Sequence, residues 1–257
     1  MQTISINLTL PAGWHELDDE QLRYLFALIA EDFDSDAIKT LCLCRWSGLQ
    51  VRHRHCADFS AGAERQVGYV CRHNGREFIV KAVQIAELLP ALAWLDEMPS
   101  VPVCIRRIGR HRAFSPDFQG IAFEKFIVCD NLYQGFLATR SDDLLRDLAS
   151  ILYGKEKIRL TPAEATSVFY WFCSVKTYLA NLFPHFFQAA PDNLLGSPSL
   201  PSGKQIQESV NAMLRALTKG DPIREADVLA LDTHRALTEL DAQAKEYQEF
   251  NAKFPKK

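Results

Sequence analysis

Cys42, Cys44, His53, His55, Cys56, Cys71 and His73 form the part of this 257-residue chain that is richest in reactive side chains, and each is of a type that binds zinc. Closed zinc sites, however, use Cys-x-x-Cys knuckles that bring two thiolates to one ion. In Cys42-x-Cys44 a helix would turn the two thiols about 200° apart, whereas a strand would let both converge. The spacing therefore predicts buried apolar cysteines, surface histidines interleaved with arginine, and no metal. A second group, Cys129-Asp130 with His185, contains the nucleophile, carboxylate and base of covalent catalysis. Cys129 falls in a core-like helical pattern, and Asp130 and Asn131 read as polar positions facing solvent. No Gly-x-Ser-x-Gly elbow, P-loop, dinucleotide fingerprint or His-Glu-x-x-His pattern occurs. No catalytic residue and no cofactor is predicted, and an enzyme with an unrecognised site stays as an alternative.

The densest basic run is Arg106, Arg107, Arg110, His111 and Arg112, the candidate contact for an anionic ligand, which Arg52 and Arg54 would join if their strands are neighbours. Phosphate or nucleic acid is one reading, and a solvated sheet edge or a face paired with acidic side chains is the other. Aromatic residues that could stack on bases are sparse around it. The chain has a pI near 6.2 and no helix-turn-helix or other nucleic-acid motif. Nucleic-acid binding is accordingly expected to be weak and salt-sensitive.

These groups must be positioned by a sizeable core, for which 257 residues and 47% hydrophobic content suffice. The net charge of −3 is unevenly spread: residues 1–44 carry 2 basic and 8 acidic side chains, residues 45–112 carry 11 and 6, and residues 113–257 carry 16 and 18. Such asymmetry suits partner contacts as well as ordinary surface. The seven cysteines are odd in number and irregularly spaced, which favours reduced thiols. The N-terminus reads as neither a secretion nor an import signal, so the cytoplasm is the expected location. Val168 to Phe187 is almost wholly apolar, but Lys176 inside it would cost about 2.5–3.5 kcal/mol in a membrane, so no span is expected.

An α+β fold is predicted, with a small antiparallel sheet and packed helices over residues 1–115 and a mostly helical part over 116–257, acting as one folded body. Ile4, Ile6, Leu8 and Leu10 alternate as in a strand. Asp18 and Gln21 form a capping box ahead of Leu22, Leu25, Phe26 and Ile29, and a second helix should occupy 35–46. Asn74-Gly75 marks a hairpin that sets Cys71 opposite Phe78, Tyr69 opposite Val80 and Arg72 opposite Glu77. Ala82 to Leu95 reads as a helix bent or restarted at Pro90, and Val101 to Ile108 as the last strand. Helices follow through Phe123–Leu137 and after Ser141. Thr161-Pro162-Ala163-Glu164 opens another that is hydrophobic nearly all round and should be central, or covered in part by another chain. The segment 188–203 reads as a loop, with Pro191 to Gly203 as a linker. Of two helices after it, the last should run about 29 residues from Asp221-Pro222 to Phe250, roughly 43 Å. Its stripe of Leu237, Leu240 and Tyr247 is the candidate partner contact.

Three stretches carry a family resemblance: LPAGWHEL with QLRYLFALIAEDF, then FEKFIVCDNLYQGFLAT, then ALTKGDPIREADVLALDTHRALTELDAQAKEYQEF. Together they resemble uncharacterised proteins encoded in Bacteroidetes prophages, near tail genes. The resemblance implies a role in making or building a phage particle through protein contacts, with virion association, and it transfers no functional residue. The leading expectation is thus a non-enzymatic interaction protein that binds a protein partner or itself. A nucleic-acid or phosphate-binding protein using residues 45–112 is the alternative.

Overall fold

The computed structural model describes residues 8–57, 66–189 and 203–253. The fold is α+β, and the chain divides into two compact units, Met1–Pro99 and Ser100–Lys257. The division falls ahead of the expected position near residue 115, so the basic run lies with the helical unit.

In the first unit, helix α1 (Asp19–Ala30) starts at Asp18, whose carboxylate accepts from the Glu20 and Gln21 amides at 2.9 and 2.8 Å while Gln21 accepts the Asp18 amide at 3.0 Å. Helix α2 (Ser35–Trp46) carries Cys42 and Leu43 into the core. Strands β1 (Gln50–Ala57), β2 (Gln66–His73) and β3 (Arg76–Lys81) form an antiparallel sheet in the order β1-β2-β3. The register pairs Cys71 with Phe78, Tyr69 with Val80 and Arg72 with Glu77, as the turn chemistry requires. Asn74 and Gly75 adopt φ of +48° and +80°, the left-handed pair that matches strand twist in a two-residue hairpin. A short helix, α3 (Ala82–Leu88), gives way to a 3-10 turn over Leu89–Asp96 because Pro90 lacks an amide hydrogen and restarts the chain there. Trp14 closes this unit, its indole N–H donating to the Trp94 and Glu97 carbonyls at 3.1 and 2.9 Å. Lys39 pairs with Asp96 beneath the same turn.

The second unit departs from the expected last strand. Val101 to Ile108 is not a continuous strand; only β4 (Arg107–Ile108) pairs, with a further strand, β5 (His111–Arg112), that the sequence reading did not foresee. Pro102, Cys104 and Ile105 are buried in an extended stretch that packs instead of pairing, and the Ile105 carbonyl accepts the Tyr153 hydroxyl at 2.6 Å. Helices α4 (Phe123–Thr139), α5 (Asp142–Leu152), α6 (Pro162–Leu182) and α7 (Pro184–Ala189) follow. Ser141 occupies the N-cap position of α5 without a side-chain capping bond. At α6 the Thr161–Glu164 capping box forms in full, with Glu164 N to Thr161 Oγ1 at 3.3 Å and Thr161 N to Glu164 Oε2 at 2.9 Å. Helix α6 is central: Val168, Trp171, Phe172, Val175 and Leu179 are buried, and Phe172 meets Phe118, Phe126 and Tyr133 with ring centroids 5.8, 6.4 and 5.3 Å apart.

The long final helix is also corrected. Helix α8 (Gly203–Thr218) is followed by a 3-10 turn at Pro222–Arg224, a five-residue helix α9 (Glu225–Leu229), a break, and α10 (Thr233–Lys253). Residues 231–233 commit their polar groups to the chain leading into α4, which a continuous helix would forbid. The Leu231 carbonyl accepts the Phe123 amide at 2.7 Å, and Thr233 donates its amide and hydroxyl to the Ile121 carbonyl at 2.8 and 2.7 Å. Asp232 accepts the Gly120 amide at 2.6 Å and caps α10 through the Arg235 amide at 3.1 Å.

Ile4 and Ile6 of the expected first strand lie outside the described residues, and Leu8 and Leu10 are not in a strand. Of the expected loop at 188–203, residues 188 and 189 belong to α7, Gly203 begins α8, and the rest lies outside the described residues.

Candidate functional site

Cys42 and Cys44 sit on α2 and Cys71 on β2, and burial raises the pKa of all three thiols, that of Cys42 to about 12. Cys44 is pushed up further by the neighbouring Cys71. Among the described residues no group of three or more His, Cys, Asp or Glu side chains is placed to hold a metal. The side chains of His55 and Cys56 lie outside that description. At about pH 8 only some one in ten thousand Cys42 side chains would be the reactive thiolate. Iodoacetamide should therefore leave Cys42, Cys71 and Cys129 unmodified in the folded chain and label them all in denaturant, as peptide mass mapping can show. Labelling of Cys42 at the rate of a free thiol without denaturant would overturn that account.

Cys129, Asp130 and His185 are each committed elsewhere. The Cys129 thiol is fully buried on α4, and its pKa is raised by burial and then by the Asp130 carboxylate, the opposite of what activates a nucleophile. Asp130 does not simply face solvent as expected. It is mostly buried and forms an ion pair with Lys176 of α6, whose side chain is 9% accessible. His185 faces Gln248 of α10 at 3.1 Å, and its carbonyl accepts from the same side chain at 3.2 Å. Asn131 is exposed.

The basic residues divide between two sheets. Arg52 and Arg54 are exposed on β1, which pairs with β2, whereas Arg106, Arg107, Arg110 and Arg112 are exposed on the separate hairpin of β4 and β5. Arg107 lies directly opposite Arg112, and the Ala113 amide donates to the Arg106 carbonyl at 2.9 Å. The Phe114 amide bonds the Leu152 carbonyl at 2.9 Å, tying the hairpin's base to the end of α5. Lys155, Lys157 and Arg159 follow there, all exposed. Sequence reasoning did not connect those three cations to the hairpin. Their only signal was the run GKEKIR, and nothing in it says where it folds.

An open apolar groove of about 200 Å³ lies in the first unit. Leu43, Leu49 and Ile85 are its buried floor, while Leu8, Phe78, Val80 and Leu88 form its walls. It runs beside β3, which pairs with β2 on one side and is an edge of the sheet among the described residues. Hairpin pairing alternates, with Cys71 and Phe78 exchanging backbone bonds, so the Glu77 and Ile79 amides point away from β2. Of the expected C-terminal stripe, Leu237 and Leu240 are buried in their own unit, 0% and 4% exposed, while Tyr247 is 63% exposed. No helix among the described residues is long and apolar enough to cross a membrane, Val168–Phe187 included. Comparisons with protein families, with curated proteins and with solved structures give no match for this chain.

Proposed function

We propose that this chain is a non-enzymatic interaction protein whose partner is another protein, working in the assembly or structure of a phage tail. The setting comes from the sequence resemblance to prophage tail-region proteins, and cytoplasmic action with later virion association belongs to the same proposal. The observation that supports docking is the open apolar groove lying along the edge strand β3. An extended segment of a partner would add to that edge through main-chain bonds and place alternate apolar side chains in the groove. Ile79 and Leu88, 49% and 38% exposed, extend the apolar surface at its rim. Tyr247 and Phe250 are also exposed near the end of α10.

Peptides selected from a randomised library against the whole chain test this reading. Winning sequences should alternate apolar and polar residues, protect the Glu77 and Ile79 amides from hydrogen exchange, and bind at least tenfold more weakly to a Leu88→Glu variant of unchanged thermal stability. Selected peptides that leave both amides unprotected, or that bind L88E as well as the parent, would refute docking at β3.

A further inference from the structure

The hairpin of β4 and β5 concentrates positive charge. Arg107 is in register with Arg112, and Arg106 and Arg110 adjoin them. The backbone holds the hairpin firmly. Ala113 bonds back to Arg106, Tyr153 to Ile105 and Phe114 to Leu152, at 2.9, 2.6 and 2.9 Å. Those last two contacts bring the turn after α5 to the hairpin's base. That turn is itself fixed, because Gly154, at φ +59°, ends the helix with its amide bonded to Ile151, and Lys155 bonds Ser150. Residues 105–114 and 153–159 together hold seven arginines and lysines and one acidic residue, Glu156, a local balance of +6 in a chain whose net charge is −3.

We propose that these two segments form one binding surface for the phosphodiester backbone of nucleic acid, read without regard to sequence. Three observations favour this over an acidic protein. Four of the seven cations are arginines on one rigid hairpin, and the guanidinium fork suits phosphate oxygens in pairs. The apolar residues of the two segments that would have to anchor a protein interface, Ile105, Ile108, Tyr153 and Ile158 among them, are buried, leaving a charged exterior. No base-stacking platform is present on the hairpin, whose exposed side chains are arginines, so contacts stop at the backbone. The surface shares no residue with the β3 groove and does not depend on the reading given to it.

The test measures binding of the full chain to a duplex DNA of about 20 base pairs by fluorescence anisotropy across salt concentrations. With about five phosphates neutralised at once, log affinity should fall against log salt with a slope near −4.5, roughly 500-fold between 50 and 200 mM. Arg110→Glu with Arg112→Glu should weaken binding at least 30-fold at low salt and flatten the slope by about two. Lys155→Gln with Arg159→Gln should weaken it about tenfold while leaving the hairpin sequence intact, which distinguishes a two-segment surface from the hairpin alone. All four substitutions are at exposed positions, and unchanged thermal unfolding confirms that the variants are folded. Binding by R110E/R112E within twofold of the parent would overturn the proposal, as would indifference to K155Q/R159Q. Equal affinity for polyglutamate of matched charge would also overturn it, in favour of an acidic protein partner.

Discussion

Replacing Lys176 by methionine, with Asp130 left in place, is expected to destabilise the Ser100–Lys257 unit by about 3–5 kcal/mol. Lys176 lies inside the buried central helix α6, and its side chain is 9% accessible against 17% for Asp130. Methionine follows the course of the lysine stem and fills nearly the same volume, so little packing is lost. What remains is a carboxylate in a poorly solvated place without its cation, and that desolvation is the source of the effect. The double variant Lys176→Met with Asp130→Asn should recover most of the loss, because an amide costs far less to bury than an unpaired carboxylate. Urea unfolding followed by the helical circular-dichroism signal measures both, with the two units treated as separate transitions. A loss below about 1 kcal/mol for the single variant would mean that water reaches Asp130 and the pair acts as a surface salt bridge.

That ion pair marks the boundary of what could be read from the sequence. Lysine in a run otherwise fit for a membrane argued against a span, yet its partner is 46 residues away on another helix, and no periodicity identifies it. Local signals did translate into structure. The Asn74-Gly75 turn set its register, and the boxes at Asp18 and Thr161 began their helices, because each depends on residues a few positions apart. The break at 231–233 depends instead on Ile121 and Phe123, more than a hundred residues earlier, and a sequence periodic enough for one long helix gave no sign of it. The same reason hid half of the basic surface. Arg106 to Arg112 stood out by density, whereas Lys155, Lys157 and Arg159 acquire meaning only when Tyr153 and Leu152 bond the hairpin's base. The β3 groove was invisible because its lining comes from the N-terminal segment, α2, β3 and α3, and each reads as ordinary core on its own.

Trp171→Ala should cost the same unit about 3–5 kcal/mol, and it should also loosen the hairpin. Trp171 is 1% exposed, packs edge-on to Tyr153 at 5.9 Å, and donates its indole N–H to the Pro116 carbonyl at 2.8 Å. Tyr153 in turn reaches Ile105, so Trp171 supports both ends of the segment that carries β4 and β5. Alanine leaves a cavity that neighbouring rings cannot fill, and the cost of such cavities grows with the volume left empty. Phenylalanine at the same position keeps most of the packing and removes the donor, which should cost about 0.5–1.5 kcal/mol for the lost hydrogen bond, since Pro116 is exposed and water can solvate its carbonyl. Hydrogen exchange separates the two effects. In W171A the Ala113 and Phe114 amides, which close and anchor the hairpin, should exchange at least tenfold faster than in the parent, while in W171F the Ala113 amide should keep its protection. If both amides stay protected in W171A although global stability falls, the hairpin is held by Tyr153 and Leu152 alone, and the charged surface gains nothing from the aromatic core beneath it.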